Sequence, residues 1–469
     1  MTAMGVLYFI YCIVAMLIMV RVIFNNRDTV KTLAWIMVLI FLPVLGLVLY
    51  FFFGRDTRRV KIIGRRMLSQ IQRRQLNDDT DCQADLPRGY EQLVSFFRNT
   101  SSAEIIGATD VRLITSTREF ASSLYDEIDV AKEHIHIQFY IIEDDEFGSQ
   151  LREHLIAKVR QGVEVRVIYD SVGCWKVNKE FFEEMRCAGI YVESFLKVRF
   201  PLLTNRVNYR NHRKVVVIDG KVGFVGGCNV ADRYIEGVEW GCWRDTMLVV
   251  RGAAVHGLQS SFLVDWYFAN RTLVSGKRYF PQLRQGSESL VQVVQSNPVG
   301  DVRAIMAGMI KTLSTARNYV YLQTPYFMPN GAFLLALKSA AMSGVDVRLM
   351  IPERSDNRIT DYASRSYLAD IMSAGVKVYL YSDGFLHSKT LVCDDSLSAV
   401  GSVNLDFRSF YYNFEVSALV YGRKLAGELK ESFLEDVKHC RQLTMSVFRE
   451  RPIRERCLES LSRLFSPLL

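Results

Sequence analysis

Long uncharged runs at the start of the chain give way to short apolar stretches that alternate with amphipathic ones. Residues 1–20 carry no charge, and after Arg21, Arg27, Asp28 and Lys31 a second uncharged run extends over 32–54. Each run is long enough to cross about 30 Å of hydrocarbon at about 1.5 Å per residue, so the pattern predicts a transmembrane helical hairpin over 1–54. No basic segment precedes the first run, which argues against a cleaved signal peptide. Pro43 and Gly46 leave a re-entrant hairpin open as an alternative.

Beyond the hairpin the pattern repeats. The stretch AKEHIHIQFYIIEDDEFGSQLREHLIAKVRQGVEVRVIYD from Ala131 parallels ARNYVYLQTPYFMPNGAFLLALKSAAMSGVDVRLMIP from Ala316. Both read as helix end, apolar strand, polar loop, amphipathic helix, a glycine (Gly162, Gly344) and a second strand. A further pair follows, CAGIYVESF with Gly189 and SAGVKVYLY with Gly375. Strands alternating with helices of this length predict mixed, mostly parallel sheets covered by helices. The expected class is α/β, with two pseudo-twofold-related lobes over 101–275 and 276–469 and a basic juxtamembrane linker over 55–100.

Composition and charge sharpen this picture. Of 469 residues 49% are hydrophobic and 23% charged, which excludes a disordered or collagen-like chain. The net charge of +8 is small, but Arg55, Arg58, Arg59, Lys61, Arg65, Arg66, Arg73 and Arg74 cluster against the single acid Asp56. Directly behind an apolar run, such a cluster places the lobes on the cytoplasmic side of the cell membrane and draws the segment to anionic lipid; it is not read as a nucleic-acid patch. The nine cysteines are scattered without a C-x-x-C pair and read as reduced thiols.

One constellation occurs twice, as H-x-K-x4-D-x6-G-[GS]-x-N. The first copy holds His212, Lys214, Asp219, Gly226 and Asn229; the second holds His387, Lys389, Asp394, Gly401, Ser402 and Asn404. His and Lys two apart on a strand share a face, so an imidazole and an ammonium share one pocket. The apolar residues that follow, Val215 to Ile218 and Thr390 to Cys393, read as strands buried on both faces.

These motifs resemble the HKD signature of the phospholipase D superfamily. The membrane pair with its basic linker, YIIEDDEFG, QTPYFMPN, the WRDT stretch from Trp243 to Thr246 and the ending RLFSPLL resemble more narrowly the bacterial cardiolipin synthases. Gly227 stands where the family usually has a serine, which removes a hydroxyl donor. Phosphodiester exchange needs a nucleophile, a proton donor and cations for the phosphoryl oxygens. Two His and two Lys supply these without a metal or other cofactor, and a neutral imidazole can form a covalent phosphohistidine. Lys214, Lys389, Asn229, Asn404 and Ser402 are the candidates for holding substrate.

Further residue roles follow from the resemblance. It implies carboxylates that orient the histidines, matched here by Asp245 in WRDT and Glu415 in NFE, with pairing across the lobes an option. Asp219 and Asp394 complete the catalytic motif but are expected to support it rather than react. Spacing leaves the two histidines equivalent; the resemblance favours His212 as nucleophile and His387 as acid, then base. It implies transfer of a phosphatidyl group between two phosphatidylglycerols, giving cardiolipin and glycerol, by an integral membrane protein of the bacterial inner membrane. A phospholipid-hydrolysing phosphodiesterase and a transferase using phosphatidylethanolamine are the alternatives, and oligomeric state is not legible.

Other residues were read more plainly. His134 and His136 lack ligand spacing and are expected in the core or on a strand surface rather than at a metal. Tyr140 and Tyr326 either line the substrate mouth or serve as ordinary strand residues. From Ile453, the residues Ile453, Cys457, Leu458, Leu461, Leu464 and Phe465 share one helical face with Arg454, Arg456 and Arg463 elsewhere. Packing of that face on the second lobe is expected, with an interfacial helix on lipid as the alternative.

Overall fold

The computed structural model describes residues 3–25, 29–42, 44–51, 86–197, 208–284, 286, 289–298 and 302–469. The basic segment 55–74 lies outside them. Two compact units result, one of them built on the N-terminal helices and the other comprising both lobes.

In the first unit a helix spans Ala3–Asn25, a second Thr29–Phe41 and a short third Leu45–Leu49. The 23 residues of the first rise about 34 Å, but the 13 of the second rise only about 20 Å. The second run is not one helix, and Val44, just before the short third helix, has a positive φ of 64°. Among the described residues no helix is long and apolar enough to cross a membrane, so the transmembrane hairpin expected from the sequence is not confirmed. Val22, Leu39 and Tyr50 form a small buried contact between the helices, with Trp35 edge-on to Tyr50 at 5.4 Å.

Among the described residues the second unit contains twenty strands. In chain order they are β1 (Ile105–Ala108), β2 (Asp110–Ser116), β3 (His134–Phe139), β4 (Glu164–Asp170), β5 (Tyr191–Phe195), β6 (Arg210–Asn211), β7 (Val215–Ile218), β8 (Val222–Gly226), β9 (Cys242–Arg251), β10 (Ser289–Ser296), β11 (Tyr319–Gln323), β12 (Phe327–Met328), β13 (Asp346–Pro352), β14 (Lys377–Tyr381), β15 (Gly384–Leu386), β16 (Thr390–Cys393), β17 (Leu397–Gly401), β18 (Leu405–Asp406), β19 (Asn413–Tyr421) and β20 (Cys440–Leu443).

The first sheet runs β15-β9-β8-β7-β3-β4-β5 with β2 on β9, and the second β1-β10-β19-β17-β16-β11-β13-β14-β20 with β6 on β19. The duplicated order is β8-β7-β3-β4-β5 against β17-β16-β11-β13-β14, so the repeat in sequence is a repeat in topology. Alternation along β7 sends Val216 and Ile218 to the first lobe's own helices, and Val215 and Val217 to a central layer shared with Val392, Val400, Val416 and Ala418 of the second lobe. The lobes thus share a central core, into which the helices Val255–Asn270 and Arg423–Lys438 also send Val255, Leu258, Leu425, Leu429 and Phe433.

Two expectations are corrected here. The sheets are mixed, but ten of the sixteen pairings along these two orders are antiparallel. The cause is a hairpin inside each motif: Asp219 and Gly220 (φ 52° and 64°), and Asp394 and Asp395 (φ 49° and 52°), turn the chain in the left-handed region. The helix Glu91–Ser101 and β1, placed by the sequence in the linker and the first lobe, instead complete the second lobe, where Leu93, Val94, Phe97 and Ile105 join its core.

Candidate active site

Each motif histidine sits just after a short strand that crosses to the other lobe. β6 pairs with β19 of the second sheet, and the His212 amide donates to Phe414 O at 2.9 Å. In reciprocal fashion β15 pairs with β9 of the first sheet, and the His387 amide donates to Arg244 O at 2.7 Å. The lobes therefore exchange strands, and each imidazole is delivered to a carboxylate of the opposite lobe.

His212 Nδ1 lies 3.1 Å from both oxygens of Glu415 and 3.0 Å from the carbonyl oxygen of Ser402. His387 Nδ1 lies 2.6 Å from Asp245 Oδ2. With Nδ1 engaged, Nε2 is the atom left to react in both rings. The carboxylates are in turn held: Glu415 accepts from Ser402 Oγ and, at 3.2 Å, from Asn413 Nδ2, while Asp245 Oδ1 accepts from the Thr246 amide at 2.7 Å. Both carboxylates are fully buried, and the His212 and His387 side chains retain only 12% and 9% exposure.

The electrostatics follow from that burial. Burial raises both carboxylates, yet the positive groups outweigh it: Lys389 and His387 hold Asp245 below the usual range, as His212, Lys214 and the Ser402 hydroxyl hold Glu415. Burial drives the histidines the other way, His212 downward and His387 to about 3, the nearby lysines adding to the effect. Lys214 falls to about 7 and Lys389 to about 8, chiefly through desolvation and, for Lys214, the charge of Lys389. Each motif's lysine also adds to the charge that lowers the other motif's histidine. Lys214 Nζ donates to its own histidine's carbonyl oxygen at 2.7 Å, and Lys389 Nζ does the same at His387.

Aromatic side chains stand beside both histidines. The Tyr140 ring stands 5.2 Å from His212, with Lys214 Nζ 5.5 Å from its centroid. Trp243 lies 5.1 Å and Phe385 5.8 Å from His387. Tyr326 packs behind Phe385 and donates to Asp356.

Other sequence candidates have different employment. Asp219 lies at the far end of β7 and accepts from the amides of Lys132, Glu133 and His134 at 2.9, 2.7 and 3.0 Å. Asp394 accepts from Arg317, Asn318 and Tyr319 at 2.8, 2.8 and 2.9 Å. Their grouping with the catalytic residues is corrected: these carboxylates pin the start of β3 and β11, a strand's length from the imidazoles. Ser402, grouped with substrate-holding residues, spends its hydroxyl proton on Glu415. Asn229 accepts from the Ile141 amide at 3.2 Å and donates to the Tyr234 hydroxyl at 3.1 Å, leaving one N–H for another partner. Asn404 keeps a buried Oδ1 without a protein partner. At Gly227 an added Cβ would meet Asp245 Oδ1 at 2.1 Å, so the carboxylate fills the space a serine would occupy. His134 is buried against Gln259, with Nε2 3.1 Å from its Oε1, and His136 lies beside it.

The sequence reading missed two arginines. Arg213, between His212 and Lys214, points to the opposite face, where it donates to Asp265 at 2.6 Å and to Glu415 O at 3.0 Å. Arg244, just before Asp245, grips both oxygens of Asp436 across the lobes at 3.0 and 2.9 Å. A bidentate, buried guanidinium clamp of this kind fixes the backbone on which the histidine partners sit. Neither stood out in the sequence, since Arg213 lies between β6 and β7 among Asn211, His212 and Lys214, and Arg244 is followed by Asp245 and Thr246.

Comparison with known proteins agrees with this geometry. The profile described as "Cardiolipin synthase, PLD-like domain" matches residues 124–266 and 309–437, and "Phospholipase_D-nuclease N-terminal" matches 13–55. The chain is 38% identical to a cardiolipin synthase of Alkalihalophilus pseudofirmus, over 99% of this chain and 94% of that one. It is also 38% identical to the major cardiolipin synthase ClsA of Bacillus subtilis, over 100% of both. Phosphatidylserine synthase of Haemophilus influenzae has the same fold, with a TM-score of 0.65 at 15% identity over 82% of this chain and 100% of that one.

Proposed function

The chain belongs to the bacterial cardiolipin synthases of the phospholipase D superfamily, and from that premise we propose that its cross-lobe histidine pair transfers a phosphatidyl group from one phosphatidylglycerol to another. The observation that carries the mechanism is the pair of buried His–carboxylate contacts, each formed between lobes, with two lysines beside them. His212 Nε2 attacks phosphorus, the bond to the glycerol oxygen breaks, and that oxygen takes a proton from His387 Nε2. A hydroxyl of the second phosphatidylglycerol then gives its proton to His387 and attacks phosphorus, breaking the N–P bond and releasing cardiolipin. Lys214 and Lys389, with the free N–H of Asn229, hold the non-bridging oxygens. One phosphodiester replaces another, so no other energy source enters.

Burial leaves both imidazoles neutral in the empty pocket, which suits a nucleophile but not an acid. An anionic phosphodiester supplies the missing negative charge and raises the histidine and lysine values together. His387 thus acquires its proton with substrate in place. Transfer instead of hydrolysis requires that water be outcompeted, which the aromatic side chains beside the histidines and a lipid surface favour. The mainly apolar helix Ala3–Asn25, whose one charge is Arg21, and the profile match at 13–55 support a membrane anchor at the N-terminus, with the lobes at the cytoplasmic face.

The test supplies the full chain with vesicles containing phosphatidylglycerol labelled at phosphorus. Cardiolipin and free glycerol are expected, and phosphatidic acid as main product would make the protein a hydrolase. Given a phosphatidyl p-nitrophenyl ester, whose leaving group departs without a proton, His387→Ala should build up a base-stable, acid-labile phosphoenzyme on His212. Accumulation in His212→Ala instead would reverse the two roles.

A further inference from the structure

The helix Ile453–Leu464 meets the second lobe with the wrong face for a soluble protein. Its buried residues are Glu459 and Ser462, followed by Ser466, and Arg463 ties it to the neighbouring helices by donating to Asp370 at 2.9 Å and to Ser366 O at 3.0 Å. Arg451 pairs with Glu459. On the opposite side, Ile453 is 77% exposed, Leu461 57%, Leu464 73%, Phe465 53% and Leu468 49%. At about 100° per residue these side chains and Cys457 form one stripe pointing away from the body. The sequence-based expectation that this face packs on the lobe is therefore overturned.

Charge is sorted around the stripe in the same sense. The acids Glu455 and Glu459 lie toward the body side, whereas Arg456 borders the stripe on one margin and Arg454 falls within its arc, between Leu461 and Phe465, both arginines exposed. An apolar stripe with exposed arginines in and beside it, and acids turned to the body, matches an anionic lipid surface, with acyl chains under the stripe and the long arginine side chains reaching up to the headgroups. Exposed apolar area of this size with no partner marks an interaction site.

Its position fits that partner. The supporting helix Arg358–Arg365 follows β13, whose end lies at the sheet edge where Gln323 pairs with Thr390, one residue past Lys389. In the loop between, Asp356 accepts from Tyr326, which packs behind Phe385.

We propose that this helix is an interfacial anchor that lays the second lobe on anionic phospholipid, apolar stripe inward. The proposal rests on the reading that the substrate is a membrane lipid. The test uses the full chain with bimane on its accessible cysteines, in vesicles of equal parts phosphatidylcholine and phosphatidylglycerol; a Cys457→Ser chain labelled identically supplies the background. The Cys457 signal is expected to be quenched by shallow doxyl-labelled lipid and shielded from aqueous iodide. Full iodide access overturns the proposal. Shielding that follows protein density and ignores doxyl lipid also overturns it, in favour of a second copy of the chain. In turnover, Leu461→Glu with Leu464→Glu should raise the KM for surface concentration of phosphatidylglycerol about tenfold at unchanged kcat. Unaltered KM in that variant, with cardiolipin still made, sinks the anchor alone; phosphatidic acid as product with doxyl quenching intact sinks the synthase reading alone.

Discussion

Asp245 and Glu415 act on the reaction through the imidazoles they hold, and their removal tests that link. Asp245→Asn and Glu415→Gln keep size but let the wrong Nδ1 tautomer form, so kcat should fall about 10³-fold or more with little change in melting temperature. Single-turnover and melting measurements on the same samples check this, and kcat within a few fold of the parent would mean the contacts are incidental. The lysines predict the pH dependence. Lys214, near 7, and Lys389, near 8, lose their charge as pH rises, and with it the hold on an anionic phosphodiester. The kcat/KM should therefore fall as pH climbs through about 8, a profile that stays flat to pH 9 being the contrary result. At this scale the sequence disclosed His212, Lys214, His387 and Lys389 through a repeated spacing, which constrains what shares a strand face. It did not disclose that Ser402 serves Glu415 or that Asp219 serves β3, because those partners lie across the fold and spacing along one strand carries no record of them.

Among the elements, the motif hairpins show how support differs from chemistry. Asp219 and Asp394 each satisfy three backbone amides that would otherwise stay unpaired at the start of β3 and β11. Asp219→Ala should destabilise the fold by about 3 kcal/mol and lower the melting temperature, while kcat measured well below the transition stays near the parent value. A large loss of kcat with unchanged melting would return that carboxylate to the chemistry. The strand–helix alternation from Ala131 and Ala316 was legible, and Asp145 and Asn330 in the two polar loops cap equivalent helices. The mostly parallel expectation failed because the apolar run of each motif pairs antiparallel with the next strand, which ends at Gly226 or Gly401, a hairpin for which Asp-Gly at 219–220 is the turn signal. The outward-facing stripe of Ile453–Leu464 was legible as a stripe but not in direction, since a helical period fixes a face without saying what it meets.

For the whole molecule, the repeat announced two lobes but not their entanglement. β6 and β15 are each too short to read as strands, and their partners lie in the other half of the chain. The same holds for Glu91–Ser101 and β1, whose place in the second lobe depends on pairing with residues nearly two hundred positions away. Because both dyads are assembled within one chain, a mixture of His212→Ala and His387→Ala proteins should remain as inactive as either alone. Recovery of turnover on mixing would show that chains exchange lobes.

The reciprocal strand exchange also decides how a two-tailed molecule gets in and out. A jaw-like opening along the seam would pull each imidazole off its acid and break the Arg244–Asp436 clamp, dismantling the machinery at every cycle. Substrate and product must therefore thread past a rigid rim, and the traffic of acyl chains falls to the loops and side chains that border it.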